Sequence, residues 1–348
     1  MTDAGIAVVD YIYNVMSIDA RWAVREPRGF TWWAKDFAQR VWAEPPIEDR
    51  GFIISRIHAR TDVLRDFSPS MVNLAKLAVF NAMASLSALV WNPAEPNRVR
   101  LAASMYAHDR NLPMVERLLS LAVALQAADA QTKAETLAAS LRATCDSSAH
   151  PSSGARPECD DMLNVIENLV APLGREPSFW AGKEMEQAVS SLQQPPCVLC
   201  TGDAAGLAAE FPLFDRTMLV RMKTGAKHPR LGNGLLVRLS LPFIGWLADN
   251  ARDAAALNVL ELEKLTRVPF LGSWYGLHDG IHFVGFYPNS AHVPGLLQNI
   301  VLQMVGRAHW VAHELYEDNW ERSYERAAEE KLKTLSLLLD LGPDSPVQ

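Results

Sequence analysis

The stretch GSWYGLHDGIHFVGFY, residues 272–287, decides how the second half of this chain is read. His278 and His282 stand four apart with Asp279 between them. On a helix that spacing would turn both imidazoles toward one metal ion. Leu277–Gly280, however, carries His-Asp-Gly, a turn signature, and Ile281–Tyr287 alternates as a strand. The stretch predicts two short strands joined by a tight turn, with His282 on the face opposite Ile281 and Phe283. The histidines decorate a hairpin; they are not set out as a metal site.

The segments on either side extend this reading. ARDAAALNVLELEKL (251–265) predicts a helix with Ala255, Val259 and Leu262 on one face. Before it, TMLVRMKTGAKHPRLGNGLLVRLSLPF (217–243) predicts strand, Gly-containing turn, strand. After the hairpin, Pro294 opens a long helix through VPGLLQNIVLQMVGRAHWVAHEL (293–315).

The first half runs in the same order. RVWAEPPIEDRGFIISRIHARTDV (40–63) predicts a strand hairpin, and GFIISRI from Gly51 aligns with GLLVRLS from Gly234. SPSMVNLAKLAVFNAMASL (68–86) predicts a helix with Val72, Val79, Met83 and Leu86 on one face. ALVW to Trp91 matches LGSW to Trp274, and VRLAASMYA (99–107) matches IHFVGFY. Pro113 then opens MVERLLSLAVALQAADA (114–130). The offset stays near about 182 residues throughout, as an internal duplication would leave it. Between the halves, CDSSAHPSSGARPECDD (145–161) has linker composition. It divides the chain into a first unit 1–144 with a Trp-rich N-terminal segment, a linker 145–161, and a second unit 162–348 with extra helices at both ends. Those extra helices include 161–170, 178–192 after a Ser178 cap, and YERAAEEKLKTLSLLLDLG (324–342). The expected fold class is α+β: two tandem antiparallel-sheet-plus-helix units, each β-β-α-β-β-α.

The order hairpin, helix, strand pair, long helix resembles the fold shared by type III secretion chaperones and YbjN-type proteins. Residues 254–315 carry the likeness most clearly, and 71–130 look like a second copy. The resemblance implies a non-enzymatic protein that holds an extended segment of a partner protein. It further implies a homodimer, or here a covalent pseudo-dimer made of the two copies.

Bulk properties bound the rest. The chain has 348 residues and a formal charge of −7, which argues against generic nucleic-acid binding. The opening MTDAGIAVVDYIYNVMS lacks the basic start of a secretory signal, and no run is long enough for a bilayer span, so a soluble, cytoplasmic protein is expected. Cys197 and Cys200 form a CxxC placed in an expected loop; with Cys145 and Cys159 they could in principle hold zinc, but their spacing matches no usual knuckle. No cofactor is implied. None of the common nucleophile, phosphate-loop, dinucleotide or metalloprotease motifs is present.

Three places could carry function. Trp32, Trp33 and Trp42 lie within eleven residues and could anchor a partner, or fill the core of the first unit. In ISRIHARTD, alternation puts Arg56, His58 and Arg60 on one face and Ile57 and Ala59 on the other. These cations either pair with nearby carboxylates or hold an acidic group. HWVAHE (309–314) spaces two histidines for a helix face. The favoured reading is a chaperone-like binding scaffold with Trp32, Trp33 and Trp42 as anchors and Arg56 and Arg60 steering acidic partners. The alternative is a small-ligand or metal-dependent enzyme with a site between the halves. That site would use His58, Arg56, Arg60 and Asp62, or His309 and His313.

Overall fold

The computed structural model describes residues 3–49, 51–193, 197–213, 216–241, 247–264 and 268–311. The chain divides into a unit Met1–Met304 and a second unit Val305–Gln348. Among the described residues the fold is α+β, with two antiparallel sheets and seven α-helices. No described helix is long and apolar enough to cross a membrane. The expected helix 324–342 and residues 312–314 of HWVAHE, with His313, lie outside the described residues, while His309 falls in the last turn of the helix Leu296–Trp310.

Helix α1 (Ala4–Val15) is capped by Asp3, whose carboxylate accepts from the Gly5 and Ile6 amides. There follow β1 (Ala23–Glu26), β2 (Gly29–Trp33), β3 (Ala38–Ala43), β4 (Ile47–Asp49) and β5 (Phe52–Arg65). Next come α2 (Met71–Asn81), β6 (Ala88–Trp91), β7 (Val99–Ala107), α3 (Leu112–Leu141) and β8 (Thr144–Cys145). The second part holds α4 (Ala171–Arg175), α5 (Lys183–Leu192), β9 (Leu199–Asp203), β10 (Gly206–Leu213), β11 (Arg216–His228) and β12 (Gly232–Ser240). It closes with α6 (Leu247–Lys264), β13 (Ser273–Leu277), β14 (Gly280–Pro288) and α7 (Leu296–Trp310).

The first sheet has the order β1-β2-β3-β5-β7-β6, with β4 and β8 also pairing to β5; the second has β9-β10-β11-β12-β14-β13. The hairpin read from residues 272–287 is present, with Trp274 opposite Phe283 and the turn at His278–Asp279. Each sheet is longer than the pattern predicts: β1 and β2 extend the first, β9 and β10 the second. The segment GFTWWAKDFAQRVW hides a strand pair because β2 is buried on both faces, which erases the alternation that marks a half-exposed strand.

The same side-chain device ties helix to edge strand in both sheets. Asn81, at the end of α2, accepts from the Leu89 amide at 2.8 Å and donates to the Leu89 carbonyl at 2.9 Å. Asn258 in α6 does the same with the Trp274 amide and carbonyl, at 2.8 and 2.9 Å. Each amide side chain stands in for the missing neighbour of an edge strand, so a polar residue sits buried without an unpaired group.

That device also explains the misread face of α2. Val72, Val79 and Met83 are 64, 54 and 56% exposed, while Leu74, Leu77, Ala78 and Asn81 face inward. Both stripes have helical spacing, and the polar Asn81 disguises the buried one. Leu86 is buried, but beyond the end of the helix.

The sheets are joined across one core. Leu74, Leu77 and Ala78 of α2 pack with Leu89 and Leu101 of the first sheet, with Tyr275 and Val284 of the second, and with Ala251 and Ala255 of α6. Ser104 and Phe270 exchange two main-chain hydrogen bonds, 2.8 and 3.2 Å, and Ser273 Oγ donates to the Asn81 carbonyl. The Ser/Pro/Gly-rich stretch 145–161 lies along the first sheet. There the Asp146 amide donates to Val63, that of Ser148 to Asp36, and that of Asp160 to Ala34. His150 of this stretch packs edge-on against Trp33, and Lys35 donates to the carbonyls of Arg156 and Pro157. The helix expected after Ser178 begins at Lys183, with Gly182 at its cap.

Candidate functional site

Alternation along β5 sends Ile57 and Ala59 to the α3 side and Arg56, His58 and Arg60 to the other face. Beside them on that face are Trp42 of β3, opposite His58, and Arg100 and Ala102 of β7, which pairs Ala102 with Arg60. Helix α6 lies over this face and leaves a cleft of about 330 Å³. One wall is Trp42, His58, Arg60 and Arg100; the other is Val259, Leu262 and Glu263 of α6. The site therefore draws on both halves of the chain.

At the cleft, the His58 ring stacks on Trp42 with centroids 4.8 Å apart and 16° between planes. Its Nε2 stands 2.6 Å from Glu44 Oε1. Burial pushes the imidazole below its ordinary value, although the Glu44 bond pulls the other way, so at neutral pH the neutral ring donates to the carboxylate. That bond holds the Glu44 carboxyl below its usual range. Arg60 is clamped by Asp62, with Nε at 2.8 Å and Nη2 at 3.1 Å, and Glu95 lies 3.6 Å away. Arg100 faces Glu95 at 2.7 Å and Asp62 at 4.0 Å. The Arg100 contact with Glu95 holds that carboxyl below its usual range.

Of the five residues singled out as partner contacts, Trp42 and Arg60 line the cleft. The other three do not present themselves to a partner. Trp32 is fully buried, and its indole donates to Gln39 Oε1 at 2.8 Å. Gln39 in turn donates to the Val123 carbonyl and Gln126 of α3, so Trp32 belongs to the core under that helix. Trp33 is buried and donates to Ser148 Oγ at 3.1 Å. Arg56 is buried and donates through Nη2 to the Glu261 carbonyl at 2.9 Å. Burial lowers its pKa, and the charges of Tyr106, Glu44 and Glu261 oppose that. It fastens α6 to the first sheet. Arg100 and Glu261 escaped the sequence reading. The available signal for Glu261 was its place three residues after Asn258, two polar groups at i, i+3 on an otherwise apolar helix side.

The hairpin histidine His282 is held within its own sheet. His282 is buried; its Nδ1 lies 3.0 Å from Ser240 Oγ and its Nε2 3.0 Å from both Asp279 Oδ1 and Arg238 Nη2. The Ser-His-Asp series has the look of a nucleophile relay. Ser240, however, sits in a regular strand pair directly opposite His282, and the adjacent Arg238 cation weakens the ring as a base. Among the described residues no three His, Cys, Asp or Glu side chains stand close enough to share a metal. All four cysteines are free, and Cys200 lies in β9 rather than a loop. Burial raises the thiol pKa of Cys145, Cys197 and Cys200, the reverse of what a redox nucleophile needs.

The three depressed imidazoles set an acid limit. His58, His228 and His282 are each pushed down chiefly by burial. Between their folded values and about 6.5, the unfolded chain binds protons that the folded chain refuses, so stability rises with pH there. The melting temperature is therefore expected to fall between pH 7.5 and pH 5.5. A melt unchanged over that range would show that these rings do not titrate with unfolding. The lowered carboxyls of Glu44 and Glu95 add a further loss nearer pH 4 and below, by the same linkage.

No family model matches the chain, and no curated protein or solved structure is found to be similar to it.

Proposed function

We propose that this chain is a non-enzymatic, chaperone-like scaffold that holds a segment of a partner protein in the cleft between the first sheet and α6. The carrying observation is the cleft itself, assembled from both halves, with the Trp42 ring and the Arg60 cation on one wall and Val259 and Leu262 on the other. An aromatic face, aliphatic side chains and a cation are what anchor and orient a peptide side chain.

The plan around the cleft supports a tandem, pseudo-dimeric reading. Both sheets share one strand order, both use a buried Asn to clamp the edge strand, and α2 and α6 pack on each other. This is the layout expected of a duplicated unit resembling the type III secretion chaperone and YbjN-type fold. Val72 and Val79 of α2, with Met83 just beyond it, are exposed apolar side chains elsewhere on the same unit.

A second reading is a small-molecule binder, favoured by the cleft volume of about 330 Å³, which falls in the range of ligand pockets. Native mass spectrometry of the chain purified from its own host separates the two. The expected result is a polypeptide at fixed stoichiometry that is lost in Trp42→Ala and Arg60→Glu. A bare chain, or one carrying only a small-molecule mass, would overturn the partner-segment reading.

A further inference from the structure

A second cavity, of about 210 Å³, opens on the opposite side of the β6–β7 pair from the cleft. Alternation along these strands sends Val90, Arg100 and Ala102 to the cleft, and Leu89 and Leu101 to this cavity. Its other walls are Phe80 near the end of α2, the turn 82–87 that follows, and one face of α3 that includes Leu137. These walls are pinned, so the space is built in. Asn81 clamps α2 to both main-chain groups of Leu89, and Lys76 Nζ reaches the Ser140 carbonyl of α3 at 2.7 Å. The turn is held from the second sheet: Ser85 Oγ donates to the Phe286 carbonyl at 2.9 Å, and the His228 ring is hydrogen-bonded to the main chain of Met83. Its small side chains, Ala84, Ser85 and Ser87, leave the space open.

The lining asks for no charge. Its two charged residues are paired with each other, Lys133 Nζ lying 2.8 Å from Asp129 Oδ2, and Arg230 fills the other Asp129 oxygen at 2.6 Å. Of the polar groups, Asn81 and Ser85 are already bonded and Thr136 is exposed at the rim. Ser87 is different: it is 9% exposed, and its hydroxyl has no hydrogen bond among the described residues. We propose that this cavity binds a small uncharged molecule, one apolar ring carrying a single hydroxyl or carbonyl, with the ring among Phe80, Leu89, Leu101 and Leu137 and the polar tip at Ser87. An apolar cavity of roughly 150 Å³ takes up a benzene ring, so this one has room for a ring and a substituent. A serine hydroxyl donates and accepts, which suits either tip, whereas an ion would bury its charge with no free counter-charge. Met83 at the mouth is 56% exposed, and its unbranched side chain can move aside for entry. This inference stands apart from the cleft and from what the cleft holds.

The test uses the full chain and four probes of similar shape: p-cresol, toluene, p-toluate and 4-methylbenzylamine. Binding is followed by ligand-observed NMR and by the rise in melting temperature that a ligand of the folded state produces. p-Cresol is expected to bind at least about threefold tighter than toluene, the scale of one hydrogen bond, and the two ions at least about tenfold weaker than p-cresol. Ser87→Ala is expected to bring p-cresol down to the level of toluene and to leave toluene unchanged. Ala84→Leu, which fills the cavity, is expected to weaken both. Because Ala84→Leu also alters packing, Ser87→Ala, which removes only an unpaired hydroxyl, is the variant that keeps the fold.

That order of affinities, with the p-cresol preference lost in Ser87→Ala, supports the inference. No binding of p-cresol, equal binding of the charged probes, or an undiminished preference in Ser87→Ala overturns it. Trp42→Ala is run alongside, because its side chain lines the cleft and not this cavity. Loss of p-cresol binding in Trp42→Ala would place the probe in the cleft and overturn the inference as well. Native mass spectrometry decides the partner-segment reading independently.

Discussion

Replacing Glu261 by alanine is expected to cost about 3–5 kcal/mol, the scale for stripping one partner from a buried charged pair. Glu261 is fully buried in α6, and its Oε2 accepts the Trp274 indole proton at 2.6 Å. Its charge also supports Arg56, which reaches across from β5 to the Glu261 carbonyl. The variant would leave a buried guanidinium undercompensated and a buried indole without its acceptor at once. Urea denaturation measures the loss as a drop in midpoint, and hydrogen exchange should locate the loosening in α6 and β13. The double variant Arg56→Met, Glu261→Leu is expected to recover the guanidinium's share, while the Trp274 indole stays without its acceptor. A single variant costing under about 1 kcal/mol would mean that the carboxylate is not holding α6 to β13.

Trp32→Ala is expected to cost about 3–5 kcal/mol, as for other fully buried large-to-small changes. The loss would come from a cavity beneath α3 and from Gln39, left with an acceptor facing no donor. Trp42→Ala should cost only about 1–2 kcal/mol, since its ring is half-buried and stacks on His58 with Arg40 over its face. The two tryptophans therefore separate fold from function: Trp32→Ala lowers the melting temperature, and Trp42→Ala lowers binding in the cleft. Equal stability losses would show that Trp42 is core as well.

Local pattern was sufficient where turn residues or prolines bracketed an apolar run, even one buried throughout such as β7 or β14. The hairpin at 272–287, α6 and the long strand β7 follow from turn residues and periodicity. So does the split of Arg56, His58 and Arg60 from Ile57 and Ala59 along β5. Local pattern misled at β2, whose Trp run reads as an aromatic cluster rather than a strand, and where a buried position was polar because a side-chain amide was serving main-chain groups. Asn81 is the clearest instance: its place on α2 reads as solvent-facing until Leu89 is seen to complete its hydrogen bonds. The Trp cluster failed for a related reason. A run of tryptophans reports large apolar area, but not whether the chain spends that area inward.

By itself the sequence determined the α+β class, the hairpin at 272–287 and the net negative charge. These depend on residue type and short-range spacing, which the chain carries openly. Only the tertiary structure decided that α6 lies over the first sheet, that Arg56 is a fastener rather than a steering charge, and that Arg100 lines the cleft paired with Glu95. Those facts join residues more than a hundred positions apart, as Arg56 and Glu261 are. Packing sets such a contact, and no local periodicity records which helix will cover which face.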